Sequence, residues 1–252
     1  MKPAKWVVTI VMMATALTTS VVVAQPVEPS DEALSPITLP TDDADTPAVK
    51  PRVLVIGDSV PALASRQIVD VGRDMGYEVG VVAEPGCVPS PYVTDQYAPD
   101  KCTPFIESLR PAIADGDPDI VVWWWGGTGA ELSWNGSVVD ICTTEGRSAI
   151  EQRLKWLQTL TDDRTAALVL PVPRGDHDAE QVAGTLCESE TTRQSVDATR
   201  TTILPLADLV CPSWPDDCDR IERVDGLHYS TRGAEQVAEW IFERVADNVD
   251  RG

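Results

Sequence analysis

Histidine occurs only twice in this chain, no two cysteines stand in a CxxC pair, and positive charge is scarce, with 20 Lys and Arg against 40 Asp and Glu and a net charge of −20. The first two shortages remove the ligand spacings of a zinc site, so no metal is expected. The third leaves no basic stripe to collect phosphates and excludes nucleic acid as a partner. The same charge opposes adhesion to an anionic membrane surface or a polyanionic polymer. Long apolar runs are scarce too, with a single one at the start of the chain, and no internal repeat is visible.

That run, Trp6 to Val23, is apolar apart from Thr and Ser; Lys2 and Lys5 precede it, and Val22-Val23-Ala24 stands before Gln25. A positive start, an apolar stretch and small residues before a cut describe an export signal over residues 1–24. The competing reading is an uncleaved anchor, since the segment is near the roughly 20 residues that a membrane helix needs. The Thr and Ser residues that dilute it favour removal. Both readings place the rest outside the cytoplasm, either secreted or tethered. Residues 25–51 are rich in Pro, Asp, Glu, Ser and Thr and lack periodicity, the composition of a disordered acidic linker. Residues 52–252 remain for one domain.

Six cysteines, Cys87, Cys102, Cys142, Cys187, Cys211 and Cys218, follow the signal. An even number in an exported chain points to disulfides. Of the 15 possible pairings, the sequence-local set is the expectation: Cys87 with Cys102, Cys142 with Cys187, and Cys211 with Cys218.

Within the domain, strand-like and helix-like segments alternate. Arg52 to Ile56 is β-rich and ends in Gly57-Asp58-Ser59; from Val60 to Met75 apolar residues then recur at helical spacing. Further strands are predicted at Tyr77–Ala83, Asp119–Trp125, Ala166–Val172 and Thr201–Leu206, the last with Pro205 marking an edge. Helices are predicted at Thr103–Ala114, around Ala149–Leu160, and from Ser230 to Asn248, where Ala234, Val237, Ala238, Ile241 and Val245 form one stripe. Near-continuous apolar strands alternating with helices indicate a mainly parallel five-stranded sheet covered on both faces, with its site at the strands' carboxyl ends.

Ser59 stands where the first strand hands over to a helix, close to helical N–H groups suited to a developing negative charge. A serine needs a base within hydrogen-bond reach. His228, in Asp225-Gly226-Leu227-His228 before the last helix, is the candidate base, and Asp225 is near enough on the same loop to orient it. His177 lies in the polar stretch Arg174-Gly175-Asp176-His177-Asp178 and reads as a surface residue. Each motif also has a plainer reading: Asp58 and Ser59 as helix caps, Asp225-Gly226 as a turn. Their joint placement, at the first strand's end and before the final helix, favours the catalytic one.

Val53-Leu54-Val55-Ile56-Gly57-Asp58-Ser59 and Asp225-Gly226-Leu227-His228 resemble the first and last blocks of the SGNH/GDSL hydrolase superfamily, and the resemblance runs from about Arg52 to Asn248. It implies a three-layer α/β/α flavodoxin-like fold, ester or acyl-transfer chemistry without a cofactor, Ser59 as nucleophile, His228 as base and Asp225 as its orienting acid. It also implies an oxyanion hole built from the Ser59 N–H and the Gly86 N–H of Pro85-Gly86-Cys87, although Gly86 also reads as a turn glycine. The third block departs from the family: Gly126-Gly127-Thr128-Gly129 lacks the usual asparagine, leaving Thr128, or Asn135 from the following loop, to offer a donor, or the hole to work with fewer donors. One missing donor costs about 10²-fold to 10³-fold in rate.

The run Trp123-Trp124-Trp125 reads first as anchors in two core layers, because alternate side chains of a strand point to opposite faces. In the other reading Trp125 or Trp134 stacks on a sugar or lines an acyl pocket. Asp58, Trp125 and Trp134 are the candidate substrate contacts. The Pro-Gly-Cys element and the cysteines further resemble extracytoplasmic SGNH domains that accompany membrane acyltransferases of envelope glycans. This implies an acyl ester or O-acylated glycan as substrate and a membrane acyltransferase as a possible separate partner; a monomer is expected. A catalytically weak glycan-binding or acyltransferase-assisting module is the alternative function.

Overall fold

A computed structural model describes residues 50–92, 99–127, 129–161, 164–173, 179–213 and 220–249. The predicted export signal, nearly all of the linker, Thr128, His177 and Cys218 lie outside the described residues. Along the chain the elements are β1 (Arg52–Gly57), α1 (Ser59–Leu63), α2 (Ser65–Asp74), β2 (Glu78–Ala83), α3 (Pro99–Gly116), β3 (Ile120–Trp124), β4 (Glu131–Trp134), β5 (Ser137–Asp140), α4 (Thr144–Thr161), β6 (Thr165–Val169), α5 (Ala179–Ser195), β7 (Thr201–Leu204), α6 (Ala207–Val210) and α7 (Thr231–Val249).

Five strands form one parallel sheet in the order β2-β1-β3-β6-β7. Counted among themselves in chain order, they run 2-1-3-4-5, the flavodoxin-like order, so the resemblance's expectation of a doubly wound fold holds. Alternation along the strands divides the interior in two. Val53, Val55, Ile120, Val122 and Trp124 pack with residues of α2 and α7 on one face; Leu54, Ile56, Val121 and Trp123 pack with α3 and α4 on the other. Trp123 and Trp124 thus anchor opposite layers, as period-two alternation requires. The Pro205 reading also holds: β7 is an edge strand and ends at Leu204, one residue before the proline.

Three local features differ from expectation. The helix after Ser59 is interrupted at Ala64, which ends α1 and starts α2. Between β3 and α4 lies the antiparallel β4–β5 hairpin, in which Trp134 pairs with Ser137 across Asn135-Gly136. Both turn residues have positive φ, 48° and 79°, the type I′ geometry for which Asn-Gly is preferred. Helix α5 was also unpredicted; its buried positions include Gly184, Thr185, Glu188, Thr191 and Thr192, so it packs with little apolar surface. This is possible because α5 comes close to the chain after β3: a Cβ on Gly184 would stand 2.3 Å from the Gly129 carbonyl oxygen.

Two predicted disulfides are present, Cys87–Cys102 and Cys142–Cys187. Cys211 is disulfide-bonded as well, while its expected partner lies outside the described residues. Among the described residues no helix is long and apolar enough to cross a membrane.

Candidate active site

Parallel order places the carboxyl ends of β1 and β3 side by side, where the sheet's connectivity reverses direction, and such a crevice is where doubly wound folds bind ligands. Asp58 follows β1 and shapes this place. Its Oδ1 accepts the Val60 N–H at 2.9 Å, capping α1, and its Oδ2 accepts the Gly126 N–H at 2.9 Å, tying the loop after β3 to the turn after β1. The residue is only 7% exposed. Burial pushes its carboxyl up from the ordinary value, against the two N–H donors and the nearby His228, which favour the charged form. The expectation that Asp58 contacts substrate is therefore corrected: both carboxylate oxygens are engaged by main-chain donors inside the protein.

Ser59 is half-buried at the first position of α1. Its Oγ lies 2.8 Å from Nε2 of His228, 169 residues away in sequence. Nδ1 of the same ring is 2.6 Å from Oδ2 of Asp225. The loop that carries them is held by its own backbone: the Leu227 and His228 N–H groups donate to Asp225 Oδ1 at 3.1 and 2.7 Å. The Val224 N–H donates to the His228 carbonyl at 2.8 Å, beside a bridge between Arg223 and Tyr229. The capping and turn readings of these motifs hold, and the atoms that build the turns also bring the three side chains together. The His228 N–H, and next the His228 ring, hold the Asp225 carboxyl well below the usual carboxylate range. A carboxylate in that state can orient an imidazole and stabilise its protonated form without taking up the proton.

Gly86 sits at the end of β2, next to β1, in a turn whose register is set by Ala83 opposite Gly57 and by the Glu84 N–H donating to the Gly57 carbonyl at 3.2 Å. The Cys87 N–H returns to the Glu84 carbonyl at 3.0 Å, Pro85 precedes the glycine, and Gly86 has φ +80°. These are the marks of a type II turn, which requires φ > 0 at its third residue. Asn135, the alternative donor, is corrected: it is exposed at the tip of the β4–β5 hairpin and occupied as a turn residue.

The aromatic candidates are corrected too. Trp125 has no exposed surface, and its indole Nε1 donates to Glu188 Oε1 at 3.0 Å. The Arg153 guanidinium stacks over the Trp125 ring at 4.5 Å and pairs with Glu188; both charged residues are fully buried. Trp134 is buried against Tyr92, with ring centroids 5.9 Å apart. Neither indole presents a face to solvent for stacking. Farther along the same edge of the sheet, past β6 and β7, lies a cleft of about 250 Å³ bordered by Pro171, Leu186, Arg193 and Asp208.

No family model matches the sequence, and no curated protein matches it by sequence. Solved structures match by fold. The chain is similar to a lipase/acylhydrolase from Enterococcus faecalis, with a TM-score of 0.54, 17% identity, and 79% of this chain and 96% of that one covered. It is similar to the periplasmic domain of a lipopolysaccharide acetyltransferase from Salmonella ser. Paratyphi A (TM-score 0.54, 13% identity, 78% and 84% covered). A family 3 carbohydrate esterase from Clostridium thermocellum matches with a TM-score of 0.51, 13% identity, and 80% and 98% covered. A GDSL-like lipase from Bacteroides thetaiotaomicron also matches, with a TM-score of 0.52. The resemblance to the SGNH/GDSL superfamily carried by the two motifs therefore extends to the fold.

Proposed function

We propose that this protein is an exported serine esterase or O-acyltransferase that acts on O-acyl esters through Ser59, His228 and Asp225. The observation that carries this reading is the unbroken chain of contacts Ser59 Oγ to His228 Nε2 at 2.8 Å and His228 Nδ1 to Asp225 Oδ2 at 2.6 Å. A hydroxyl is nucleophilic enough at neutral pH only when a base takes its proton. Here Ser59 Oγ attacks the acyl carbonyl carbon while His228 Nε2 takes the hydroxyl proton, and Asp225 stabilises the resulting imidazolium. The carbonyl oxygen becomes an oxyanion met by the main-chain N–H groups of Ser59 and Gly86. Collapse of this intermediate expels the alcohol, which receives its proton from His228 and leaves the acyl group on Ser59. Water then attacks the acyl-enzyme in an esterase, or an acceptor hydroxyl in a transferase, again with His228 as base.

An acyl ester carried on an envelope glycan is the substrate class this reading favours. It is supported by the likeness to a carbohydrate esterase and to a lipopolysaccharide acetyltransferase domain. Location outside the cytoplasm is supported by the disulfides, which persist in oxidising compartments.

The test is hydrolysis of p-nitrophenyl acetate and butyrate by the protein from Gln25 onward, beside Ser59→Ala and His228→Ala and with a serine-reactive phosphonate. Turnover lost in both variants and stoichiometric labelling of Ser59 are expected. A folded parent that neither turns over nor labels, yet binds saccharide, would establish the glycan-binding module instead.

A further inference from the structure

We propose that Lys101 is a positioning residue that aims the Gly86 N–H into the oxyanion hole by holding the opposite end of the same peptide group. The inference rests on the acyl-transfer reading above and assigns a role to a side chain that lies outside the triad.

Type I and type II turns differ mainly in their central peptide, which is turned over between them: ψ of the second residue changes from about −30° to about +120°, and φ of the third from about −90° to about +80°. In the Glu84–Cys87 turn that peptide joins Pro85 to Gly86. It consists of the Pro85 carbonyl and the Gly86 N–H, and because a trans peptide is planar the two point in opposite directions. Whatever holds the carbonyl therefore sets the direction of the N–H. Glycine tolerates either sense of φ, so residue type alone leaves this peptide free to turn over.

Lys101 supplies the hold. From the first turn of α3 its Nζ donates to the Pro85 carbonyl at 3.0 Å and also pairs with the Glu84 carboxylate. The next residue, Cys102, is bonded to Cys87 at the end of the same turn. Two consecutive residues of α3 thus grip the turn, one through the central carbonyl and one through the closing cysteine. The disulfide holds the position of the turn, and Lys101 holds the orientation of its central peptide. A hydrogen bond to a charged donor is stronger than a neutral one, and it polarises the peptide so that the N–H at the other end becomes a better donor. The Glu84 carboxylate balances the ammonium charge, so the effect reaches the reacting oxygen through the peptide and not as a long-range field. The Lys101 side chain is 49% exposed, which makes its removal mild for the fold.

The experiment compares the parent with Lys101→Met and Lys101→Arg in nitrophenyl ester hydrolysis, thermal melting and the rate of phosphonate labelling at Ser59. Loss of an oxyanion donor costs about 10² to 10³ in kcat, and a donor left unaimed but present loses part of that. The expected result for Lys101→Met is a fall in kcat of roughly 10-fold or more at nearly unchanged KM and Tm. Labelling should slow by a similar factor, because phosphonylation also develops charge on an oxygen in the hole. Lys101→Arg keeps a charged donor and should restore most of the rate. The backbone carbonyl ¹³C resonance of Pro85 should shift in Lys101→Met and return in Lys101→Arg. An active parent whose Lys101→Met variant matches it within twofold in kcat overturns the proposal alone, as does a Lys101→Arg variant no better than Lys101→Met. A parent that neither turns over nor labels overturns the acyl-transfer reading and this proposal with it.

Discussion

Neutralising Glu188 tests the buried polar centre that lies beneath the loop after β3. Glu188 and Arg153 are both 0% exposed, and among the described residues Arg153 Nε and Nη1 have no hydrogen-bond partner. Its charge is compensated by Glu188 and by the Trp125 ring. Removing one member of a buried ion pair leaves the other uncompensated and typically costs about 3 to 5 kcal/mol. For a domain of roughly 200 residues, with about 2 to 4 °C per kcal/mol, this corresponds to a Tm lowered by about 6 to 20 °C. Glu188→Gln is the informative substitution because the amide oxygen can still accept the Trp125 N–H, so the loss is one of charge. Arg153→Met should cost a similar amount by removing the carboxylate's buried counter-charge. The double variant removes both charges and keeps the indole's acceptor, so it should be more stable than either single variant, with a coupling of several kcal/mol. Urea unfolding followed by tryptophan fluorescence measures all four corners of the cycle. Single variants within about 1 kcal/mol of the parent, or a double variant whose loss equals the sum of the singles, would refute the claim that these charges compensate each other in a desolvated site.

Three further outcomes are expected. Asp225→Asn should lower kcat on the order of 10³-fold to 10⁴-fold with little change in KM, because an amide no longer favours the productive imidazole tautomer; steady-state kinetics decide, and a loss below tenfold would deny Asp225 that role. The Asp225 carboxyl is held below its ordinary range, so it stays ionised through mild acid, and any stability it contributes is lost only as pH falls through its depressed folded value. The side-chain carboxyl ¹³C resonance of Asp225 should then keep its carboxylate position through mild acid; a change there would contradict this. Reduction should lower the Tm, since the Cys87–Cys102 and Cys142–Cys187 bonds span 15 and 45 residues and loop-closure entropy assigns them about 3 and about 4 kcal/mol; identical melting with and without reductant would show that they contribute nothing.

The legible part of this protein is the part written in local pattern. Apolar runs and helical spacing disclosed the five sheet strands, and Gly57-Asp58-Ser59 and Asp225-Gly226-Leu227-His228 marked the two ends of the site. The β4–β5 hairpin left a signal too, since Asn135-Gly136 is a strong hairpin turn, but its short strands carry little periodicity. Helix α5 had almost none: residues such as Thr185, Glu188 and Thr192 are buried there without forming an apolar stripe, so no helical period marks them. Trp125 and Trp134 were ambiguous because an indole suits a core as well as a binding face. Only the surrounding layers showed that Trp125 is enclosed by Glu188 and Arg153.

Strand and helix identity, and with them the parallel layered fold, follow from the sequence because residue spacing decides which faces of an element are apolar. The Ser59, His228 and Asp225 side chains were nameable as candidates for a related reason: a serine, a histidine and a carboxylate are recognisable by residue type and by the turns that carry them. Their meeting across 169 residues was decided only by the tertiary structure, through the register that sets β1 beside β3 and the loop that brings His228 back to the sheet's edge. The same holds for Asp58, turned inward to the Gly126 N–H, and for Lys101 at the Pro85 carbonyl. Contacts between residues distant in sequence depend on how whole elements pack, and no local period records them.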